Sequence, residues 1–198
     1  MPRTRPTLFV FILLFLAFSL AACSKPKEEA GIPDNATIVN YVRETQMLES
    51  ALKEDPNNPK LLVELGNTYY NWGQEEVDSK VETAEPSAKW ARAVECYDKA
   101  LSIEPANVNV IVDRANLTEA LGDNDKAISE FRRAMKLDPK LLQARINLIL
   151  ALGGKKKDYK AAVSEYDALL AISPEQKDNA SLSEQVDKYR DQLKEARK

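Results

Sequence analysis

The chain has 198 residues, of which 44% are hydrophobic, 28 are Lys or Arg, 31 are Asp or Glu and none is His. That length suffices for a buried core, and a net charge of −3 offers no electrostatic footprint for a nucleic acid. Without histidine there is no Ser-His-Asp triad, no Cys-His pair and no histidine-ligated metal. With only two cysteines there is neither a four-cysteine zinc site nor a disulfide framework.

At the N-terminus Arg3 and Arg5 precede residues 8–22, a stretch of 15 residues without charge. It is shorter than the roughly 20 residues that span a bilayer. It reads as the apolar part of an export signal covering residues 1–22. The end of that stretch, Leu20-Ala21-Ala22-Cys23, resembles the lipobox of bacterial lipoproteins. The resemblance implies cleavage before Cys23 and acylation of that cysteine, with no cofactor besides this covalent lipid. Several acyl chains would anchor firmly, because each buried methylene contributes about 0.8 kcal/mol. Ser24, where an aspartate would favour the inner membrane, implies sorting to the outer membrane, facing the periplasm. Residues 23–36 contain two prolines and few apolar side chains and are expected to form a flexible tether. Cys96 is then the free thiol, expected to serve as a small buried apolar residue.

Beyond the tether the chain repeats. Pro105, Pro139 and Pro174 are 34 and 35 residues apart. The same two spacings separate Ala93, Ala127 and Ala162, then Tyr97, Phe131 and Tyr166, then Ala100, Ala134 and Leu169. An alanine and an aromatic four apart share one helix face, and the proline that follows stops the helix. The preceding half carries Leu62, Leu65, Gly66 and Tyr69, in which the glycine permits two helices to approach closely. No stretch alternates with period two, so no strand is expected.

These residues resemble the tetratricopeptide repeat, a helix-turn-helix unit of about 34 residues. The resemblance implies an all-α, right-handed superhelical solenoid. It has a partial N-terminal repeat at 37–58, three units over 59–174 and a capping helix at 175–198. The cap is read from Leu182, Val186, Tyr189 and Leu193, one apolar stripe on a charged helix. Unit one (59–107) carries an acidic insertion of about 15 residues at about 74–90, with a helix restarting at Pro86-Ser87. Unit two (108–141) has Arg114, Ala115 and Thr118 where Leu, Gly and Tyr are typical. Unit three (142–174) has one extra residue near 153–157.

In tetratricopeptide proteins the first helix of each unit lines a concave surface. Matched by position, the groove takes Lys60, Val63, Glu64, Asn67, Tyr70 and Asn71 from unit one. Unit two supplies Asn109, Val112, Asp113, Asn116 and Glu119, and unit three Gln143, Ile146, Asn147 and Leu150. Asn67 and Asn116 hold equivalent places, and an amide can both donate to and accept from an extended peptide backbone. Co-chaperone members of the family clamp a C-terminal carboxylate with a pattern that would need lysine at Val63, asparagine at Asp113 and lysine at Gln143. None is present, and Glu64, Asp113 and Glu119 would repel a carboxylate. A neutral or basic segment with apolar anchors suits this groove better.

The reading is a non-catalytic, membrane-anchored scaffold or adaptor of the bacterial cell envelope that binds a protein or peptide partner and no nucleic acid. Its layout is similar to that of pilotins of type IV pilus secretins and of scaffolds of cell-wall enzymes. The alternative is a periplasmic holdase or assembly factor for exported chains, similar to the repeat domain of cytochrome c maturation proteins. The path of the insertion and the oligomeric state stay open.

Overall fold

The computed structural model describes residues 35–79 and 86–196. The expected signal, Cys23 and all but the end of the tether lie outside these residues, as does the stretch 80–85 within the insertion. The described residues form eight α-helices and no strand: α1 (Asn35–Glu54), α2 (Pro59–Asp78), α3 (Pro86–Ile103), α4 (Val108–Ala120), α5 (Asn124–Leu137), α6 (Leu142–Leu150), α7 (Tyr159–Ile172) and α8 (Ala180–Glu195). Helices α2 and α3, α4 and α5, and α6 and α7 pack as pairs. Helices α3–α4 and α5–α6 join successive pairs, α1 rests on α2, and α8 on α7. The architecture is an all-α solenoid.

The repeat columns form its spine. Ala93, Ala127 and Ala162, the aromatics Tyr97, Phe131 and Tyr166, and Ala100, Ala134 and Leu169 are all buried. Alanine lets the next helix approach, and the ring one turn later fills the space that this opens. Gly66 serves the same end on α2, where the Tyr97 ring occupies the volume of a side chain.

The connections repeat as well. Asn58, Asn107 and Leu141 each close a four-residue turn by donating backbone N–H to the carbonyl of Asp55, Glu104 or Asp138. A proline stands second in all three, where its fixed φ suits the turn. The asparagines then cap the next helix: Asn58 Oδ1 accepts from Lys60 and Leu61, and Asn107 Oδ1 from Val110. Leu141 in the same place provides no side-chain cap to α6. Beyond the end of α4 at Ala120, Gly122 takes φ +98°, with Asp123 N–H donating back to Thr118 O and Gly122 N–H to Glu119 O. Such a left-handed C-terminal turn favours glycine.

Two departures from the period are absorbed in different ways. The insertion in unit one lengthens helices: α2 runs through Gly73 to Asp78, and α3 begins at Pro86. Trp90 packs over Gly73, Lys89 pairs with Glu76 at 3.0 Å, and the same ammonium lies 4.8 Å from the centre of the Trp72 ring. The extra residue of unit three is taken up by a π-helical turn, Ala151–Lys155, that continues α6. There Lys156 N–H donates to Ala151 O, five residues back.

At the C-terminal end a 3₁₀ turn, Pro174–Asp178, precedes α8, so the capping helix begins at Ala180 rather than 175. Leu182, Val186 and Tyr189 are buried beneath it, and Leu193 is half-buried. The Tyr189 ring lies where a side chain at Gly153 would stand.

Candidate functional site

Helices α2 and α4 lie side by side on one surface of the solenoid. Their inward faces carry Leu62, Leu65, Gly66 and Tyr69, and Ile111, Ala115 and Thr118. The opposite face of α2 presents Lys60, Val63, Glu64, Asn67, Tyr70 and Asn71, spaced three and four apart. Between the two helices is a cavity of about 290 Å³ lined by Asn67, Tyr70 and Asn71 from α2, Tyr97 from α3, and Asp113 and Asn116 from α4. A second cavity, about 370 Å³, adjoins it along α2 and is lined by Pro59, Lys60, Val63, Glu64, Asn67, Glu104 and Asn107. Asn67 belongs to both.

Of the fifteen expected groove residues, these cavities bring together Lys60, Val63, Glu64, Asn67, Tyr70, Asn71, Asp113 and Asn116. Asn109, Val112, Glu119, Gln143, Ile146, Asn147 and Leu150 lie outside both, and Val112 is buried in the core instead. Cys23 falls outside the described residues. Pro59, Tyr97, Glu104 and Asn107 line the cavities, although the sequence does not mark them as groove residues. Tyr97 reads from the sequence as core, and so its ring is, but its hydroxyl passes α2 and emerges in the groove. The signal for this was a phenol rather than a phenyl ring in the aromatic column.

The asparagines are partly committed. Tyr97 OH donates to Asn67 Oδ1 at 2.7 Å, and Asn147 Nδ2 donates to Asn116 Oδ1 at 2.7 Å. Asn147 Oδ1 in turn accepts from Gln143 Nε2 at 2.7 Å. The expectation that each amide offers both donor and acceptor is therefore narrowed. At Asn67 and Asn116 the oxygens are used, and the Nδ2 groups have no hydrogen-bond partner among the described residues. Those two donors can receive the carbonyl oxygens of an extended chain.

The cavity between α2 and α4 carries one carboxylate, Asp113, and no cation, while Lys60 stands with Glu64 and Glu104 in the adjoining one. Desolvation by the concave wall raises the Asp113 carboxyl above its ordinary range, although the side chain keeps an open face. Glu119 is raised by the same cause, with Lys155 opposing it. Burial, followed by the Asp113 charge, pushes the Tyr97 hydroxyl far up, so it stays a proton donor at any physiological pH. Among the described residues no group of three or more His, Cys, Asp or Glu is placed to hold a metal ion, and no helix is long and apolar enough to cross a membrane.

Residues 109–141 match the tetratricopeptide repeat family. Two curated relatives carry that repeat or a co-chaperone role in their names. The small glutamine-rich tetratricopeptide repeat-containing protein 2 of Mycosarcoma maydis is 33% identical over 89 residues, 44% of this chain and 25% of that protein. The heat-shock protein cognate co-chaperone sgt12 of Aspergillus fumigatus is 35% identical over 79 residues, 40% of this chain and 23% of that protein. The match thus spans about a quarter of these relatives. Among solved structures, the crystal structure of MamA has a TM-score of 0.58 at 18% identity, covering 82% of this chain and 95% of that one. That likeness is one of fold.

Proposed function

We propose that this repeat protein is a membrane-anchored, non-catalytic scaffold of the bacterial envelope that holds an extended segment of a partner protein in the groove between α2 and α4. Tetratricopeptide repeats mediate protein–protein interaction, and the cavity at Asn67 and Asn116 is the observation that carries the reading. It is polar, open, and offers two unpartnered amide donors from equivalent positions of successive repeats. The anchor is Cys23, and the outer membrane is its site.

The sgt12 relative is by name a co-chaperone, but the groove argues for a different ligand here. Val63, Asp113 and Gln143 stand at the positions where a carboxylate clamp would need lysine, asparagine and lysine. An acidic chain terminus would meet Glu64 and Asp113 instead.

The test is a photo-crosslinking amino acid placed at Tyr70 in the groove or at Lys99 on α3, in intact cells. Capture of one partner from position 70 and not from 99, lost when Asn67 and Asn116 are both alanine, supports the groove. Equal capture from both positions overturns it. Palmitate incorporation that disappears in Cys23→Ala, with release of the protein from the membrane, supports the anchor. Release without loss of label, or label without Cys23, overturns it.

A further inference from the structure

The described residues form ten ion pairs, and none involves a residue lining the cavity between α2 and α4. Elsewhere several ion pairs bridge neighbouring elements: Arg145 on Glu165, Arg190 on Asp167, Lys156 on Asp125. Asp113 takes part in none of the ten. It is the one carboxylate lining that cavity, and it has no cation. Around it stand two phenol rings, Tyr70 and Tyr97, and three asparagine amides.

The chemistry of this lining is selective. Tyr97 gives its proton to Asn67 and so turns oxygen lone pairs toward any further donor. Tyr70 is an exposed ring whose face attracts a cation. Asp113 supplies a negative charge in a concave site partly shielded by its neighbours but open on one face, where a charge-assisted hydrogen bond can form. The cavity volume of about 290 Å³ admits a long side chain but not a folded element. An apolar side chain would leave Asp113 desolvated and unpaired, and an acidic one would be repelled.

We propose that this cavity is a subsite for a lysine or arginine side chain of the bound segment. The cation pairs with Asp113 and packs on Tyr70, while Asn67 and Asn116 hold the backbone carbonyls beside it. The inference rests on the groove reading above and adds to it the chemical class of one ligand residue. The chain's net charge of −3 favours the encounter with such a segment.

The experiment uses the full chain, ¹⁵N-labelled, and three acetylated and amidated peptides of sequence Leu-Thr-X-Leu-Thr with X arginine, glutamine or glutamate. Affinity is read from shifts of the Asn67 and Asn116 side-chain amide signals. The arginine peptide is expected to bind on the order of tenfold more tightly than the glutamine one, as a single charge-assisted hydrogen bond allows. The glutamate peptide is expected to bind weakest. Asp113→Asn should bring the arginine-to-glutamine ratio to about one, and Tyr70→Ala should reduce it, while Glu119→Gln should leave it within about twofold. Equal affinities for arginine and glutamine overturn the subsite and leave the groove standing. So does a ratio that falls as far in Glu119→Gln as in Asp113→Asn, because general attraction to an acidic surface would then explain it. No shift at Asn67 or Asn116 with any peptide overturns the groove reading and the subsite with it.

Discussion

Tyr97 closes on Gly66: a Cβ at residue 66 would lie 2.6 Å from Cε1 of the ring. The same side chain donates from its hydroxyl to the neighbouring Asn67. One ring thus fills the core between α2 and α3 and fixes an amide on the floor of the groove. Gly66→Ala must displace a buried ring. It is expected to cost about 1–3 kcal/mol of overpacking, against roughly 1 kcal/mol regained from helix propensity. A urea midpoint that stays put or rises would show that the ring is free to move. Tyr97→Phe keeps the packing and removes the hydrogen bond, for about 1 kcal/mol.

Asp113 should make the native state sensitive to pH. Its folded carboxyl is raised by desolvation, so the native chain keeps a proton that the unfolded chain has already lost. Stability contributed by this group is therefore complete below the ordinary value of 3.8 and declines as pH rises through the raised one. Asp113→Asn should be the more stable protein at pH 7, with the difference shrinking toward pH 3. Urea midpoints of the two proteins across that range measure it. A constant difference would mean that the carboxyl is as well solvated folded as unfolded.

Arg114 on α4 is clamped by Glu130 on α5, with Nε to Oε2 at 2.9 Å and a second bond from Nη2 to Oε1, and it also reaches Asp98 on α3. The side chains of Arg114 and Glu130 are 10% and 9% exposed, that of Asp98 49%. The two carboxylates should therefore differ. Glu130→Ala leaves a buried guanidinium short of its main partner and is expected to cost about 3–5 kcal/mol. Asp98→Ala faces water and is expected to cost about 1 kcal/mol or less. Replacing Arg114 and Glu130 together by Met and Leu should recover most of the loss, since apolar packing often equals a buried pair. Chemical denaturation of the four proteins decides the order.

Burial pushes the Cys96 thiol up to about 11 from its ordinary 9.0. At pH 8 the folded protein holds on the order of a hundredfold less thiolate there than the unfolded chain, and the thiolate is the reactive form. In a Cys23→Ala background, iodoacetamide should label residue 96 readily in urea and hardly at all in buffer. Because the folded thiol keeps its proton longer, stability from this group is present below pH 9 and falls between about 9 and 11. Rapid labelling of the native state would contradict the burial.

What the sequence made legible was the part of the fold that repeats. Ala93, Tyr97, Ala100 and their counterparts are visible as columns because each meets the same neighbours in every unit, so one physical requirement is written three times. The prolines and capping asparagines of the turns are legible for the same reason. The Arg114 network is not. It occurs once, and by position Arg114 looked like a lapse from a leucine pattern. Only the spatial approach of α3, α4 and α5 shows that two carboxylates await it. The groove shows the same division. Which residues face outward follows from helical spacing, so Asn67, Asp113 and Asn116 could be named. That Asn67 is held by Tyr97 and Asn116 by Asn147, partners 30 and 31 residues distant, depends on side-chain reach across helices. Likewise the insertion was visible as a surplus, but its use to lengthen α2 and α3 required the Trp90 contact at Gly73.

The π-helical turn at Ala151–Lys155 has a consequence for how such a chain tolerates changes of length. A residue added to an α-helix rotates everything after it by about 100° and advances it by about 1.5 Å. Such a phase error would ordinarily carry α7 and α8 off their seats. Here a single widened turn swallows the surplus, and Ala162, Tyr166 and Leu169 still reach the core. The segment works as an expansion joint: the ribbon beyond it keeps its alignment whatever is taken up within. A one-residue deletion at the exposed Gly154, where an added Cβ would meet the Tyr189 hydroxyl at an ordinary 3.7 Å, is thus the place where this solenoid could lose a residue without losing its pitch.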